Sequence, residues 1–281
     1  MKRVKKIVLP IMIFCLMVSM LANEKSASAA TLQGKNGMIF YWSSAGGSNV
    51  YDYKGNRHYS KAGLRRAAAN ILRAKKAVER RGGKFVLLMV PNKEVIYSNL
   101  MPKRIKRKST YNRFDQLYDY LEANTDVDVC YPKAEMLKQR DRYSGRYTLY
   151  YPTDSHWNRL GQYIGTQELL DITDGKKSSI RGKKFKLTAH YKGNLSNTRT
   201  SEHFRFVSKV KKEEKSNKNI LLVGDSFSQC MAPMAKNYYK RVRACLLYNF
   251  HMNMVKKDEV VVWECVEWFQ DRYTRFDFAA R

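Results

Sequence analysis

The chain has 281 residues, of which 44% are hydrophobic, and it carries a formal charge of +28 at pH 7. A chain of this length can bury a hydrophobic core, and it is expected to fold as one domain or as one domain with an insertion. The positive charge predicts attraction to polyanions, but no nucleic-acid-binding motif accompanies it, so nucleic acid is not an expected partner. The five cysteines form neither a CxxC pair nor a Cys/His cluster, which argues against a zinc site.

The N-terminus predicts a secretion signal of bacterial type. A basic start is followed by an apolar segment at 7–22 and by the small-x-small sequence Ala-Ser-Ala at 27–29. The apolar segment is shorter than the roughly 20 residues that span a bilayer, and Pro10 interrupts it. We expect residues 1–29 to be a signal peptide and the mature, secreted or cell-envelope protein to begin near Ala30. The alternative is an uncleaved N-terminal anchor.

If the protein is exported, the polyanions that it can meet are those of the cell envelope or the cell exterior. About +24 of the charge remains after cleavage, which favours teichoic-type polymers, uronate polysaccharides or the headgroups of a membrane surface. The basic loop at 103–108 is nevertheless typical of a solvated face. Cys245 and Cys265 lie in apolar runs and are expected to be buried. One disulfide is compatible with the compartment, but the sequence does not choose its partners.

The first half of the mature chain predicts strands that alternate with helices. Ser60 is a candidate cap for a helix with one apolar stripe and a basic face, and a glycine pair at 82–83 ends it. The predicted elements are a turn and strand at 34–42, a helix at 61–81, a strand at 85–90, a helix at 111–123 and a strand at 127–131.

The second half continues the alternation around one unusual segment. Residues 174–218 are rich in lysine and poor in apolar side chains, which predicts an insertion or lid region with short strands. The other predicted elements are a helix at 158–172, a strand at 219–223, a helix at 227–240, strands at 242–248 and 259–263, and a closing helix at 266–278. This order predicts an α/β fold with a parallel sheet between two helical layers.

Two short segments, about seventy residues apart, combine serine, histidine and aspartate. Ser226 follows an apolar strand and opens a helix, as a nucleophile does at a strand-to-helix turn. His156 is a candidate base for the serine hydroxyl, and Asp154 is a candidate partner that fixes the histidine tautomer. The pattern predicts acyl transfer through an acyl-serine. Adjacent Asp225 is expected to brace the turn instead of orienting the histidine.

Further residues complete the candidate site. The N–H groups of Ser226 and Phe227, at the start of a helix, are candidates for stabilising an oxyanion. Tyr150, Tyr151 and Trp157 either stack on sugar rings or belong to the core, and Trp263 is expected in the core. The candidate substrate or oxyanion residues are Phe227, Asn158, Tyr150, Trp157 and Lys93.

No cofactor and no metal are expected. The alternative is a metal bound by Asp154, His156 and a third ligand, but no HExxH motif or carboxylate cluster supports it. The remaining histidines lack a comparable context and are expected to be structural or to lie on the surface. They are His58, His190, His203 and His251.

These residues resemble a known superfamily. The Gly-Asp-Ser sequence at 224–226 is similar to the nucleophile block of SGNH or GDSL hydrolases. The Asp-x-His-Trp-Asn sequence at 154–158 resembles the AlgX/AlgJ group of that superfamily, the polysaccharide O-acetyltransferases of alginate export. Further similarities lie in the glycine turn and strand at 34–40, the Pro-x-Lys…Ile-Tyr segment at 91–97 and the apolar strand at 260–264.

The resemblance spans about residues 34–270. It implies a three-layer α/β/α SGNH-like (flavodoxin-like) fold whose triad order is permuted relative to GDSL esterases. It also implies that Ser226 is the nucleophile, His156 the base and Asp154 its partner, and that a membrane-bound O-acyltransferase delivers the acyl group. The chain departs from the group where Trp268 follows Glu267, and the usual oxyanion blocks cannot be located, so alginate itself is not implied.

Three functions follow as hypotheses. The first is an exported O-acetyltransferase that acts on an anionic or neutral cell-surface or secreted polysaccharide. The second is a carbohydrate acetylesterase of the same fold, because water and sugar hydroxyls compete for the same acyl-enzyme. The third is a non-catalytic surface protein that holds an anionic polymer on its basic face.

Overall fold

The computed structural model describes residues 31–43 and 49–281, and the predicted signal peptide at 1–29 lies outside them. Thr31–Arg281 form one unit. In the part of the chain that is described, no helix has the length and apolar character needed to cross a bilayer.

Strands and helices alternate along most of the chain. The strands are β1 (Thr31–Gln33), β2 (Ile39–Tyr41), β3 (Lys84–Val90), β4 (Val129–Cys130), β5 (Phe185–Lys192), β6 (Thr200–Phe206), β7 (Asn219–Gly224), β8 (Arg241–Leu246) and β9 (Glu259–Val266). The α-helices are α1 (Asn49–Tyr53), α2 (Lys61–Glu79), α3 (Lys93–Ile96), α4 (Arg113–Asn124), α5 (Lys133–Arg142), α6 (Arg159–Asp174), α7 (Ser226–Ala235) and α8 (Arg272–Arg275).

A parallel sheet of five strands forms the centre, in the order β4-β3-β9-β7-β8. The last strand, β9, lies in the middle, with Val261 opposite Phe85 of β3 and Val262 opposite Leu222 of β7. All eight residues of β9 are buried. Because parallel strands end at one edge, the segments that follow β3, β7 and β9 meet there.

Successive side chains of the sheet enter two different cores. Leu222 and Val262 face one core, which α6 and α7 cover, whereas Leu221 and Val261 face the other, which α2 and α4 cover. The alternation is that of strands buried on both faces. The structure is therefore the three-layer α/β/α fold that the sequence predicts.

The insertion contains a long hairpin. Strands β5 and β6 pair antiparallel, with an irregularity between Leu187 and Ala189. Phe185 and Phe206 anchor the hairpin on Tyr163 of α6, with ring centroids 6.1 and 5.8 Å from the tyrosine ring. The predicted short strands are thus present, and they form a separate two-stranded sheet.

Two predicted elements need correction, and one helix was not predicted. The helix that begins at Ser226 ends at Ala235, near the internal Pro233, and does not reach residue 240. The closing helix at 266–278 is wrong: a 3-10 turn at Glu267–Phe269 and one turn at Arg272–Arg275 replace it. Helix Lys133–Arg142 was missed, because its buried residues are only Met136 and Gln139, too few for an apolar stripe.

Gly224, the last residue of β7, lies against Glu264 of β9, and a Cβ atom there would stand 2.3 Å from the Glu264 Oε2 atom. We predict that Gly224→Ala lowers the free energy of unfolding by about 1–3 kcal/mol, because it forces two strand ends apart. Urea unfolding of purified protein measures this.

Gly63→Ala on α2 is the matched control. A Cβ atom there meets its nearest neighbour at 3.3 Å, and alanine suits a helix better than glycine by up to about 1 kcal/mol. The control should be as stable as the parent or more stable, and equal stability of the two variants would contradict the predicted clash.

Candidate active site

Ser226 stands at the edge where the parallel strands end. It follows β7 directly, is the first residue of α7, and its side chain is exposed. Asp225 caps the helix by accepting the Phe227 N–H at 2.9 Å, and its other carboxylate oxygen accepts the Val266 N–H of β9 at 3.1 Å. Asp225 thus braces the turn, as expected from the sequence.

The cap bond changes the oxyanion prediction. The Phe227 N–H is already donated to Asp225, so this group is not free to bind a substrate oxygen. For the Ser226 N–H, no acceptor is found within residues 31–43 and 49–281. Of the two backbone donors considered in the sequence, only that of Ser226 is open to an oxyanion.

A buried carboxyl group supports the turn from β9. One oxygen of Glu264 accepts the N–H groups of Asp225 and Ser228, at 3.0 and 3.2 Å. Burial and the neighbouring Asp225 raise the pKa of Glu264 well above its ordinary value, which favours its neutral form. Sequence reasoning noted Glu264 only as part of a strand. The signal for its role was a single acidic side chain inside an apolar strand.

Asp154, His156 and Ser226 form one chain of hydrogen bonds. The His156 Nε2 atom lies 2.7 Å from the Ser226 Oγ atom, and its Nδ1 atom lies 2.6 Å from the Asp154 Oδ1 atom. Burial raises the pKa of Asp154, but its hydrogen bonds with His156 outweigh that effect and hold the pKa below its ordinary value. This geometry suits a histidine that removes the serine proton while a carboxylate fixes its tautomer.

The turn that carries Asp154 is bonded to the insertion. The second Asp154 oxygen accepts the Asn194 N–H at 2.9 Å. The Asn194 side chain completes the link, because it accepts the Ser155 N–H at 2.9 Å and donates to the Ser155 Oγ atom at 2.8 Å. Asn194 was not foreseen, since nothing in the composition of a lysine-rich segment distinguishes one asparagine as a neighbour of Asp154.

Lys93 is buried beneath the same turn and does not reach a substrate. Four backbone carbonyl oxygens lie within hydrogen-bond distance of its Nζ atom and share its N–H donors, those of Ile39 at 2.6 Å, Tyr151 at 2.6 Å, Pro152 at 3.0 Å and Asp154 at 2.9 Å. Burial lowers the pKa of Lys93 to about 7, against the opposing charges of Asp154 and Glu94. The side chain thus positions the Asp154 turn, in place of the substrate or oxyanion contact expected from the sequence.

Three other predicted substrate residues are also buried. Trp157 donates its indole N–H to the Phe227 carbonyl oxygen at 3.2 Å, which joins the histidine turn to the serine helix. Tyr150 donates to the Pro91 carbonyl oxygen at 2.5 Å, and Asn158 caps α6. None of these side chains is exposed beside Ser226, because each packs in the core or satisfies the backbone. Trp263 is in the core, as expected.

A cleft of about 490 Å³ opens beside His156, between α6, α7 and the β5–β6 hairpin. Its aromatic wall consists of Tyr151, Tyr191 and His203. The Tyr151 ring stacks on His203 at 5.9 Å and lies edge-on to Tyr191 at 5.0 Å. The hydroxyl of Tyr151 lies 2.8 Å from the His203 Nδ1 atom. His203 therefore belongs to the cleft, although from the sequence it was expected only to be structural or to lie on the surface.

One cation lines the cleft. Arg159 donates to the Gln162 side chain at 2.6 Å and lies 3.4 Å from the Cys230 carbonyl oxygen, and no carboxylate pairs with it in the described part of the chain. Burial and the charge of Arg159 lower the pKa of His203, so the ring is held neutral.

All four cysteines that the structure describes are unpaired, and burial raises the pKa of Cys230 to about 11.

Comparison with known proteins gives a consistent family and fold. The family model "SGNH hydrolase-like domain, acetyltransferase AlgX" matches residues 33–240, which confirms the resemblance stated from the motifs. A comparison with curated proteins gives no match.

Solved structures that are similar to this chain include the following three. The O-acetyltransferase domain of Pseudomonas putida AlgJ has a TM-score of 0.58 and 17% identity, over 86% of this chain and 92% of that one. Bacillus cereus PatB1 with a sulfonyl adduct has a TM-score of 0.51 and 13% identity, over 75% and 90%. Pseudomonas aeruginosa AlgX has a TM-score of 0.51 and 14% identity, over 92% of this chain and 65% of that one. Identities this low establish the fold alone.

We predict that Lys93→Met lowers the free energy of unfolding by at least about 2 kcal/mol, because each unmade buried hydrogen bond costs about 1–3 kcal/mol. The Pro152 and Tyr151 carbonyl oxygens keep a backbone donor, the N–H groups of Ile39 and Asp154, so the loss falls mainly on the carbonyl oxygens of Ile39 and Asp154. Chemical denaturation measures the change. Lys35→Met is the control: this exposed lysine makes one long bond of 3.4 Å to the Asn99 carbonyl oxygen, and its loss should change stability by less than about 0.5 kcal/mol. A Lys93→Met protein as stable as this control would contradict the positioning role.

Proposed function

The chain belongs to the family of SGNH hydrolase-like domains of the acetyltransferase AlgX, and we propose that it is an exported, serine-dependent O-acetyltransferase that acts on a cell-surface or secreted polysaccharide. The observation that carries the proposal is the continuous hydrogen-bond chain from Asp154 through His156 to an exposed Ser226. Export is proposed from the N-terminal sequence at 1–29.

The reaction proceeds in two halves. In the first, the His156 Nε2 atom takes the proton of the Ser226 hydroxyl while the serine oxygen attacks the acyl carbonyl carbon of the donor. The carbonyl oxygen becomes an oxyanion, which accepts a hydrogen bond from the Ser226 N–H. The tetrahedral intermediate then expels the donor group, which takes the proton from the imidazolium, and an acyl-serine remains.

In the second half, a sugar hydroxyl replaces the donor. The neutral His156 ring takes the proton of that hydroxyl, the sugar oxygen attacks the acyl-serine carbonyl carbon, and collapse returns the proton to Ser226. The negative charge of Asp154 stabilises the imidazolium in both halves. The aromatic wall of Tyr151, Tyr191 and His203 offers the apolar surface against which a sugar ring can replace water.

The acyl donor is proposed from the family resemblance. A membrane-bound O-acyltransferase would carry the acyl group outward and deliver it to Ser226, and the polysaccharide would receive it. A carbohydrate acetylesterase uses the same hydrogen-bond chain, with water in place of the sugar hydroxyl, so the direction of transfer is the property to measure.

We predict that Ser226→Ala and His156→Ala each lower the rate of p-nitrophenyl acetate hydrolysis by at least about 10³-fold, since nucleophile and base act as one unit. A phenylmethylsulfonyl fluoride adduct, located by mass spectrometry, should form on Ser226 of the parent protein. Ser144→Ala removes an exposed hydroxyl outside this chain of hydrogen bonds and should keep full activity. A Ser226→Ala protein that hydrolyses the ester at the parent rate would refute a serine nucleophile.

We predict that cells whose only copy is Ser226→Ala carry less O-acetyl on the acceptor polysaccharide than cells with the parent protein. The acyl-serine is the intermediate that a transferase passes to the polymer, so its loss stops delivery. Acetate released by mild base from purified polymer measures the change. A rise in acetyl content would instead identify an esterase, and the same complementation with Ser144→Ala controls for expression.

A further inference from the structure

Tyr147 forms an exposed aromatic ridge at the end of the loop that follows α5. Its side chain is 48% exposed, in a protein whose other large aromatic residues are mostly buried. The ring is held edge-on between two neighbours, with centroids 6.2 Å from Tyr143 and 6.0 Å from Phe204. A ring supported in this way presents a fixed flat surface to solvent.

Concave surfaces lie on both sides of this ridge. One is a cavity of about 320 Å³, lined by the side chains of Asn36, Asn99 and Arg146 as well as Tyr147. The other is a cavity of about 460 Å³ that Tyr147 shares with the lysine-rich start of β5. An extended ligand that crosses Tyr147 would therefore enter a depression on each side.

The cavity beside β5 is positively charged, whereas the cavity on the other side carries both signs, because Asp141 and Glu202 also line it. Lys184 and Lys186 line the second cavity, both are exposed, and neither has an ion-pair partner in residues 31–43 and 49–281. Lys183 beside them is already bound to Glu214. On the other side of the ridge, Arg146 is likewise without an ion pair in the described chain. The free lysines of the second cavity therefore favour a ligand with acidic groups on that side of the ridge.

The ridge and the candidate active site share one strand. Alternate side chains of β6 point to opposite faces, so Phe204 contacts Tyr147 while His203 stacks on Tyr151 in the catalytic cleft. A polymer segment held at the ridge therefore lies across the same hairpin from Ser226. Holding it there raises the local concentration of acceptor hydroxyls at the cleft.

We propose that the Tyr147 ridge is an accessory binding site for an acidic polysaccharide. The apolar face of a sugar ring packs on Tyr147, and carboxylate or phosphate groups of neighbouring units are held by Lys184 and Lys186. As an acceptor site it rests on the proposed function, but its binding can be measured without any reaction. Single-stranded nucleic acid is a weaker fit, because its binders stack successive bases on several aromatic side chains and only one exposed ring is offered here.

Isothermal titration calorimetry with the purified protein tests the site directly, because it measures the affinity for each sugar. The probes are hexagalacturonate and a hyaluronate hexamer as acidic sugars, cellohexaose as a neutral sugar, and a twelve-residue oligothymidylate as nucleic acid. The parent protein should bind at least one acidic hexamer more tightly than cellohexaose. Tyr147→Ala should weaken that binding at least tenfold, and the double variant Lys184→Ser, Lys186→Ser should weaken it and reduce its dependence on salt.

Tyr248→Ala is the matched control, since this tyrosine is 65% exposed and makes no ring contact with the ridge. It should bind as the parent does, and all variants should hydrolyse p-nitrophenyl acetate at the parent rate. The proposal is overturned if neither acidic hexamer binds, if Tyr147→Ala binds as tightly as the control, if cellohexaose binds as well as the acidic sugars, or if oligothymidylate is the ligand that depends on Tyr147. If acidic sugars bind as expected while the parent hydrolyses no ester, the accessory site stands and the proposed catalytic function fails.

Discussion

One buried ammonium group holds the Asp154 turn in place. Lys93 follows β3, and its three N–H donors face four carbonyl oxygens, one from β2 and three from the turn that leads to Asp154. Buried carbonyl groups need hydrogen-bond donors, and Lys93 supplies donors to this turn from another segment of the chain. The position of the proposed base thus depends on a side chain sixty residues earlier, fixed at the end of a central strand.

The serine side of the site depends on the same sheet edge. Glu264 of β9 accepts hydrogen bonds from two N–H groups of the turn at 225–228. In the other direction, the Asp225 carboxylate accepts the Val266 N–H of β9. Strand β9 lies between β3, whose end leads to Lys93, and β7, whose end leads to Ser226. The two halves of the hydrogen-bond chain are therefore set by neighbouring strand ends, and Trp157 joins them directly through the Phe227 carbonyl oxygen. A sheet edge is more rigid than a loop, which suits a site that needs distances near 2.7 Å.

The sequence predicted what local chemistry determines. Apolar runs predicted the central strands, and Ser60 and Asn158 predicted helix starts that the structure confirms. The residue types in two short motifs were enough to name Asp154, His156 and Ser226 as candidates. The predictions that failed concern residues whose roles depend on contacts between distant segments of the chain. Lys93 was a candidate for substrate or oxyanion contact, and its buried position could not be read from the sequence because its carbonyl partners come from distant segments. Glu264 and Asn194 likewise acquire their roles only through tertiary contacts. The closing helix failed because Glu267 is drawn inward by Asn92 and Asn112, which breaks the helical path.

The lysine-rich insertion connects these observations. It has too few apolar residues to form a core of its own, so its hairpin packs on α6 through Phe185 and Phe206 and leaves most of its length exposed. A strand held at one end by aromatic contacts has two accessible faces. In β6 one face supplies His203 to the cleft and the other supplies Phe204 to the Tyr147 ridge. A segment that contributes little to the core can therefore vary its charge without loss of the fold, which makes this hairpin the part of the molecule best able to match the protein to a particular polymer.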